Sequence, residues 1–174
     1  NTAFNTRLTG TETTYGRIAM TVPSTTRHQA YPKLSELGPM REWINSWSRE
    51  HGLADALLLP GFSSRIEEVM RDIDLLVLPS LWEGFGIVLI EAMAAAKPCI
   101  TTRVSSMPEI VVDGETGRVV PVRDSDALAA ALIEVVGDPA RAAEWGEAGR
   151  RRVERCFTLE RMIDQLESLF HSLA

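Results

Sequence analysis

Residues 74–102 read DLLVLPSLWEGFGIVLIEAMAAAKPCITT, and this stretch decides the fold. It opens on an apolar run, Leu75 to Leu78, which does not alternate with polar residues; that pattern is typical of a strand buried on both faces of a parallel sheet. A loop follows, then an apolar helical segment from about Ile87 to Ala95, then a second strand-like run, Cys99 to Thr102. Strand, helix and strand in this order predict one right-handed βαβ crossover.

The chain from about Gly38 onward continues the same alternation of helices and strands. Besides the crossover, the pattern predicts helices at 40–51, 65–71 and 108–112, strands at 56–59 and 118–122, and closing helices at 125–136, 139–155 and 159–173. The predicted fold class is therefore α/β, a parallel sheet covered by helices.

Residues 1–37 have a different character, since they are rich in Thr, Asn, Gly and Ser and contain only one plausible strand, Arg17 to Val22. We therefore predict two parts, an N-terminal segment at 1–37 and a single domain at 38–174. A chain of 174 residues is long enough for a proper core.

The composition excludes several function classes. A net charge of −6 argues against nucleic acid as a partner, because phosphate contacts need clustered Lys and Arg. Two cysteines form neither a disulfide framework nor a metal cluster. No apolar run approaches the roughly 18 residues of a membrane span, and the first residues lack a signal-peptide pattern. These features predict a soluble, cytoplasmic protein.

Two carboxylates, Glu83 and Glu91, flank the Gly84-Phe85-Gly86 turn in this apolar stretch. Glutamate is rarely buried unpaired, so Glu91 inside an apolar helix needs a reason. Its side chain should lean toward the helix N-terminus, where free N–H groups and the helix dipole suit a phosphate. A diphosphate there would leave Glu91 for ribose hydroxyls and Glu83 for whatever the diphosphate carries. A nucleotide diphospho-sugar has all three parts.

Simpler interpretations of the same residues stay open. Glu83 could be a solvated loop carboxylate, Glu91 could be stabilised by the helix dipole or a hidden cation, and Gly-Phe-Gly could be an ordinary turn. An NAD-dependent oxidoreductase fits poorly, because the third glycine is lacking and the acidic residue follows Gly86 by five positions instead of about twenty.

The Glu83-x7-Glu91 pattern resembles the signature of retaining nucleotide-sugar glycosyltransferases with the GT-B fold. The resemblance runs from about residue 38 to the C-terminus. It includes further landmarks in the family order: Leu78-Pro79-Ser80, Lys97-Pro98, Pro108-Glu109-Ile110-Val111 and Asp113-Gly114-Glu115-Thr116-Gly117.

The resemblance implies a Rossmann-like sheet with helices on both faces, the C-terminal, donor-binding half of a GT-B fold. It implies that Glu91 holds the ribose, that Gly84, Phe85, Gly86 and Ile87 hold the diphosphate, and that Glu83 contacts the donor sugar as the candidate catalytic residue. It further implies retaining transfer to an unknown acceptor (a sugar, a lipid-linked or a small molecule) with no metal and no cofactor. Membrane contact would be peripheral, through an N-terminal domain that this sequence lacks.

Several features depart from the family pattern. Gly16-Arg17 matches the family's phosphate-binding Gly-Arg pair only weakly. The first βαβ unit is missing or rewritten. Ser105-Ser106 stand where glycines are usual, and Ala96 where a left-handed glycine often ends the helix. A non-catalytic nucleotide-sugar-binding module, or an inactive remnant, therefore remains the alternative function.

The missing first unit has a consequence for stability. We expect one edge of the strand Leu75 to Leu78 to be unpaired unless Arg17 to Val22 fills the gap. An unpaired edge would give a low melting temperature and self-association.

Overall fold

The computed structural model describes residues 2–10, 13–22, 38–58 and 65–173. From residue 38 onward, each predicted helix and strand is present with its described ends within two residues of the prediction. The strands are β1 (Thr2–Gly10), β2 (Thr13–Val22), β3 (Leu57–Leu58), β4 (Leu75–Leu78), β5 (Cys99–Thr102) and β6 (Gly117–Val120). The helices are α1 (Gly38–Glu50), α2 (Ile66–Asp72), α3 (Ile87–Ala94), α4 (Met107–Ile110), α5 (Ser125–Gly137), α6 (Pro139–Cys156) and α7 (Leu159–Leu173).

The strands form one six-stranded sheet in the order β3-β1-β2-β4-β5-β6. Four neighbours, β2, β4, β5 and β6, run parallel, whereas β1 is antiparallel to both β2 and β3. The predicted α/β class and the crossover from β4 through α3 to β5 are confirmed. The antiparallel β1 is an addition that the prediction did not contain.

Helices cover both faces of the parallel part, as predicted. Alternate residues of β4 divide between two apolar clusters: Leu76 and Leu78 pack with α2, α3 and α4, while Leu75 and Val77 pack with α5 and α6. All four of these side chains are at most 2% exposed. Burial on both faces explains why this strand does not alternate in sequence.

The N-terminal hairpin corrects two expectations. Residues 1–37 contain two strands instead of one, and β2, which includes the predicted Arg17 to Val22, pairs with β4 in parallel, with Ile18 opposite Leu75. The edge of β4 is therefore paired, and the reason for expecting poor folding is removed. Strand β1 escaped prediction because strand propensity depends on context: β1 pairs with β2 beside it and with β3, which is distant in sequence.

Helix α3 ends in a left-handed residue, as the sequence comparison with the family suggested. Ala96 has φ +56°, and the N–H groups of Ala96 and Lys97 donate to the carbonyls of Met93 and Ala92. This is the Schellman arrangement, which normally uses glycine at the left-handed position. The same end of α3 is approached closely by α6, since a Cβ atom at Gly146 would lie 2.0 Å from the Ala96 carbonyl oxygen.

Within the described ranges, no helix is both long enough and apolar enough to cross a membrane.

The close approach of α6 to α3 predicts the effect of one substitution. Gly146→Ala should lower the free energy of unfolding by about 1 to 3 kcal/mol, because backbone must move to admit the methyl group. Gly137→Ala is the matched control: a Cβ there meets nothing within 4 Å, so the better helix propensity of alanine should leave stability unchanged or up to about 1 kcal/mol higher. Urea unfolding of both variants measures the difference, and equal stabilities would contradict this account of the packing.

Candidate functional site

The loop that carries the Gly-Phe-Gly turn leaves the carboxyl end of β4 at Pro79. A hydrogen bond links this loop to β5, since the hydroxyl group of Thr102, at the end of β5, donates to the Ser80 carbonyl. Ligands of open α/β sheets bind beyond the carboxyl ends of the strands. The predicted site residues therefore lie at the edge of the sheet where this fold class places its ligands.

The two glycines of the turn differ in what the fold requires of them. Gly86 is the residue before α3 and has φ +77°, a left-handed conformation that favours glycine. A Cβ atom at Gly86 would also lie 2.5 Å from the Cε of Met107, which is fully buried. A Cβ atom at Gly84 would meet nothing within 4 Å. The fold thus demands glycine at position 86, while at position 84 the space stays open for something outside the protein.

The backbone N–H groups of the turn are not all free, which corrects the expectation for residues 84–87. The N–H of Gly84 donates to the Glu83 carboxylate, with 3.1 Å between nitrogen and Oε1. The N–H groups of Phe85 and Gly86 donate to no other residue of the described ranges. The donors that the turn offers to an anion therefore begin at Phe85 instead of Gly84.

Glu91 lies one helical turn inside α3, about 6 Å along the axis from Ile87 at 1.5 Å per residue. Its side chain is half-buried, and desolvation by burial raises the pKa of its carboxyl group above the ordinary 4.5. Glu91 lines a cavity of about 320 Å³ between α2 and α3, whose walls include Ile66 and Met70. Glu67 and Arg71 line the same cavity, which is otherwise apolar. A mainly apolar cavity with a few charged groups is suited to binding hydroxyl groups.

The structure does not enclose all the predicted residues in one cavity. The cavity at Glu91 includes no residue of 83–87; it runs along α2 and extends toward the C-terminal end of α3. A further cavity of about 290 Å³ lies at the carboxyl ends of β5 and β6, and its walls include Thr102, Val120 and Arg123. None of the predicted site residues lines this second cavity.

Large apolar side chains around the turn are exposed, which the sequence analysis did not predict for α3. We expected this helix to be buried on every side, yet Ile87 is 52% exposed. Leu81, Trp82 and Phe85, from the preceding loop, are exposed to a similar degree. Val88, Leu89, Ala92 and Met93 fill the core, whereas the exposed residues, here called the apolar rim, lie on both sides of Glu83 in sequence. Several exposed apolar side chains within one short segment are typical of a surface for binding.

Three residues that the sequence analysis left without a role support the turn. The Ser106 hydroxyl oxygen lies 3.1 Å from the carbonyl oxygens of both Gly84 and Phe85. The Phe85 ring meets the Phe157 ring edge-on, with 6.4 Å between centroids, and the Arg152 guanidinium lies over Phe157. Of these three residues, only Ser106 stood out in the sequence, because it occupies a position where the family usually has glycine.

The described part of the chain contains no group of three or more His, Cys, Asp or Glu residues that could hold a metal ion. The expectation that the site works without a metal or cofactor stays a prediction.

Comparison with known proteins supports the resemblance. The family model described as glycosyl transferases group 1 matches residues 33–152. Among curated relatives, the chain is 34% identical over 121 residues to an N-acetyl-alpha-D-glucosaminyl L-malate synthase from Bacillus anthracis, covering 70% of this chain and 32% of the relative. It is 37% identical over 122 residues to a lipopolysaccharide core biosynthesis mannosyltransferase from Rhizobium leguminosarum bv. viciae, covering 70% and 35%. The chain thus spans about a third of the length of these relatives.

A second family model covers the start of the chain. The Mu-like prophage major head subunit gpT matches residues 1–51, overlapping the first match at 33–51. The boundary near residue 38 stays a prediction.

Solved structures give the same fold. A sucrose-phosphate synthase from Thermosynechococcus elongatus superposes with a TM-score of 0.70 at 30% identity, covering 90% of this chain and 37% of that one. The C-terminal domain of a glycosyl transferase group 1 family protein from Francisella tularensis gives a TM-score of 0.65 at 27% identity, covering 70% and 64%. The fold is therefore that of the Rossmann-like C-terminal half of a GT-B structure, and the chain belongs to the group 1 glycosyltransferase family.

Proposed function

We propose that this chain is the donor-binding part of a retaining glycosyltransferase, which transfers a sugar from a nucleotide diphospho-sugar to an acceptor. The observation that carries the proposal is the arrangement around the N-terminus of α3. Glu83 precedes it, Glu91 lies one turn inside, and the N–H groups of Phe85 and Gly86 between them lack partners in the described ranges. The family match includes this whole arrangement.

Each part of the donor has a proposed partner. The N–H groups from Phe85 to Ile87, together with the positive end of the α3 dipole, hold the diphosphate. The Glu91 carboxylate accepts hydrogen bonds from the ribose hydroxyls, and Glu83 contacts the donor sugar. Glu83 must release the Gly84 N–H to do so, which frees one further donor for the phosphate. The open space at Gly84 lets the diphosphate approach the backbone.

The names of related proteins support a nucleotide-sugar donor. An Anabaena protein that superposes with a TM-score of 0.74, at 22% identity, was crystallised with UDP. The mannosyltransferase and malate synthase relatives act on different molecules by name, so the acceptor class stays open among sugars, lipid-linked molecules and small molecules. We propose no metal, no cofactor and no nucleic-acid partner.

The N-terminal hairpin favours a second candidate, binding without transfer. The family's Gly-Arg would neutralise the diphosphate, but Ile18 lies opposite Leu75, the first residue of β4. This register places Gly16-Arg17 at the amino edge of the sheet, whereas the turn follows the carboxyl end of β4, roughly 13 Å away at 3.3 Å per residue. This register does not place the Gly16-Arg17 backbone beside the turn, and a non-catalytic nucleotide-sugar-binding module or an inactive remnant is the alternative.

Calorimetric titration of the chain with UDP, GDP, ADP and their sugars, with and without EDTA, tests the proposal. Binding of one diphosphate and its sugar in EDTA supports it. A chain that binds none of them would be a remnant, and hydrolysis or transfer of the sugar on addition of candidate acceptors would separate an enzyme from a binding module.

Glu91→Gln should weaken binding of the bare nucleoside diphosphate roughly 10- to 150-fold, because a charge-assisted hydrogen bond is worth about 1.5 to 3 kcal/mol. Glu83→Gln should leave the affinity for the nucleoside diphosphate unchanged or improved. It should weaken only the binding of the nucleotide sugar. Glu144→Gln, on the exposed face of α6, removes the same charge and serves as the control. If Glu83→Gln weakened the bare diphosphate as much as Glu91→Gln, the assigned roles would be wrong.

The raised pKa of Glu91 predicts that binding depends on pH. As the pH falls through this pKa, above 4.5, the carboxylate gains a proton and the ribose loses a charged acceptor. Affinity for the bare nucleoside, which carries no titrating phosphate, should then fall roughly fivefold, since a neutral hydrogen bond is weaker by about 1 kcal/mol. NMR titrations between pH 4.5 and 7.5 measure it. Glu91→Gln should abolish the dependence, and a pH-independent wild-type affinity would contradict the ribose assignment.

A further inference from the structure

Ser106 occupies an unusual position for its hydrogen bonds. It is the residue before α4, where a serine hydroxyl normally accepts a hydrogen bond from an N–H group of the first helical turn. Here no such capping bond forms. Instead the hydroxyl reaches the carbonyl oxygens of Gly84 and Phe85, 22 and 21 residues away in sequence, at 3.1 Å each. With one proton to donate, the hydroxyl shares it between the two carbonyls.

This shared bond fixes the direction of two N–H groups. The described chain has no cis peptide bond, so in each peptide unit the C=O and the following N–H point in opposite directions. The Gly84 carbonyl belongs to the same unit as the Phe85 N–H, and the Phe85 carbonyl to the same unit as the Gly86 N–H. Drawing both carbonyls toward Ser106 therefore directs both N–H groups away from it.

The turn has other supports that Ser106 does not provide. Gly86 lies against the buried Met107 side chain, and the Phe85 ring meets Phe157. These contacts place the turn as a whole, but neither one fixes the rotation of the two peptide units. Loss of the Ser106 hydroxyl would therefore release the orientation of the N–H groups while leaving the packing in place.

We propose that Ser106 is a positioning residue, whose hydroxyl group aims the Phe85 and Gly86 N–H groups at the phosphates of the donor. This rests on the proposed function. Successive N–H groups on one side of a backbone form an anion-binding concavity, and their value depends on being oriented before the ligand arrives. Ser106 thus makes the turn specific for the diphosphate and has no part in binding the nucleoside.

The test compares Ser106→Ala with wild type for three ligands: the nucleoside diphosphate that binds best, its nucleoside, and its nucleotide sugar. Ser106→Ala should weaken the two phosphate-bearing ligands about five- to tenfold, as expected for one lost hydrogen bond that organises the site. It should leave the affinity for the nucleoside and the melting temperature unchanged. Ser106→Thr, which keeps the hydroxyl group, should bind the phosphate-bearing ligands as tightly as wild type does. Ser105→Ala is the matched control, because the hydrogen bonds to the Gly84 and Phe85 carbonyls come from Ser106.

A spectroscopic readout separates orientation from general loosening. On addition of the diphosphate, the amide signals of Phe85 and Gly86 should shift strongly in wild type and weakly in Ser106→Ala. Unchanged diphosphate affinity and unchanged amide shifts in Ser106→Ala would overturn this inference alone. An equal loss of affinity for the nucleoside and for the diphosphate would also overturn it, since that result indicates a structural role for Ser106. Failure of the wild type to bind any nucleoside diphosphate would overturn the proposed function, and this inference with it.

Discussion

Burial of β4 on both faces is the constraint on which the rest of the structure depends. Its four side chains alternate between two apolar clusters and are almost without exposure, so helices must cover both sides of the sheet. With both faces covered, a ligand can approach the backbone of this region only at the edges of the sheet. The chain leaves β4 at its carboxyl edge with the Gly-Phe-Gly turn. The location of the candidate site is therefore a consequence of how the core is filled.

The shape of that site is set by residues distant in sequence. Met107 lies beneath Gly86, Ser106 bonds to two carbonyls of the turn, and Phe157 at the end of α6 meets Phe85. Arg152 joins α4 and α6, because its guanidinium donates to the Glu109 and Ile110 carbonyls and lies over Phe157. The turn is thus held from below and from one side, while its apolar rim remains open to a partner or ligand.

The sequence predicted what local patterns control and missed what depends on distant partners. Non-alternating apolar runs and helical periodicity gave the elements after residue 38 and the position of the turn, because core burial leaves a direct signal in the sequence. Strand β1 forms through its neighbours in the sheet, so it left no comparable signal. Two features of the site depend on tertiary packing and were not predicted. The Gly84 N–H donates to the Glu83 carboxylate, and the cavity that Glu91 lines contains no residue of the turn. The roles of Glu83 and Glu91 rest on the chemistry of the residues and on the family resemblance, and they stay predictions.

The N-terminal hairpin gives the sheet a complete interior but changes the electrostatics of the proposed site. Strand β2 pairs with the exposed edge of β4 that the family's first strand would otherwise occupy, yet its register leaves Arg17 at the opposite edge of the sheet. A helix dipole supplies only about half a positive charge at its N-terminus, which is less than a diphosphate carries. Among the described residues, Arg103 directly follows β5 and Arg123 lies three residues after the end of β6; both are exposed. The hairpin thus completes the sheet, while the cations at the carboxyl edge come from the segments after β5 and β6.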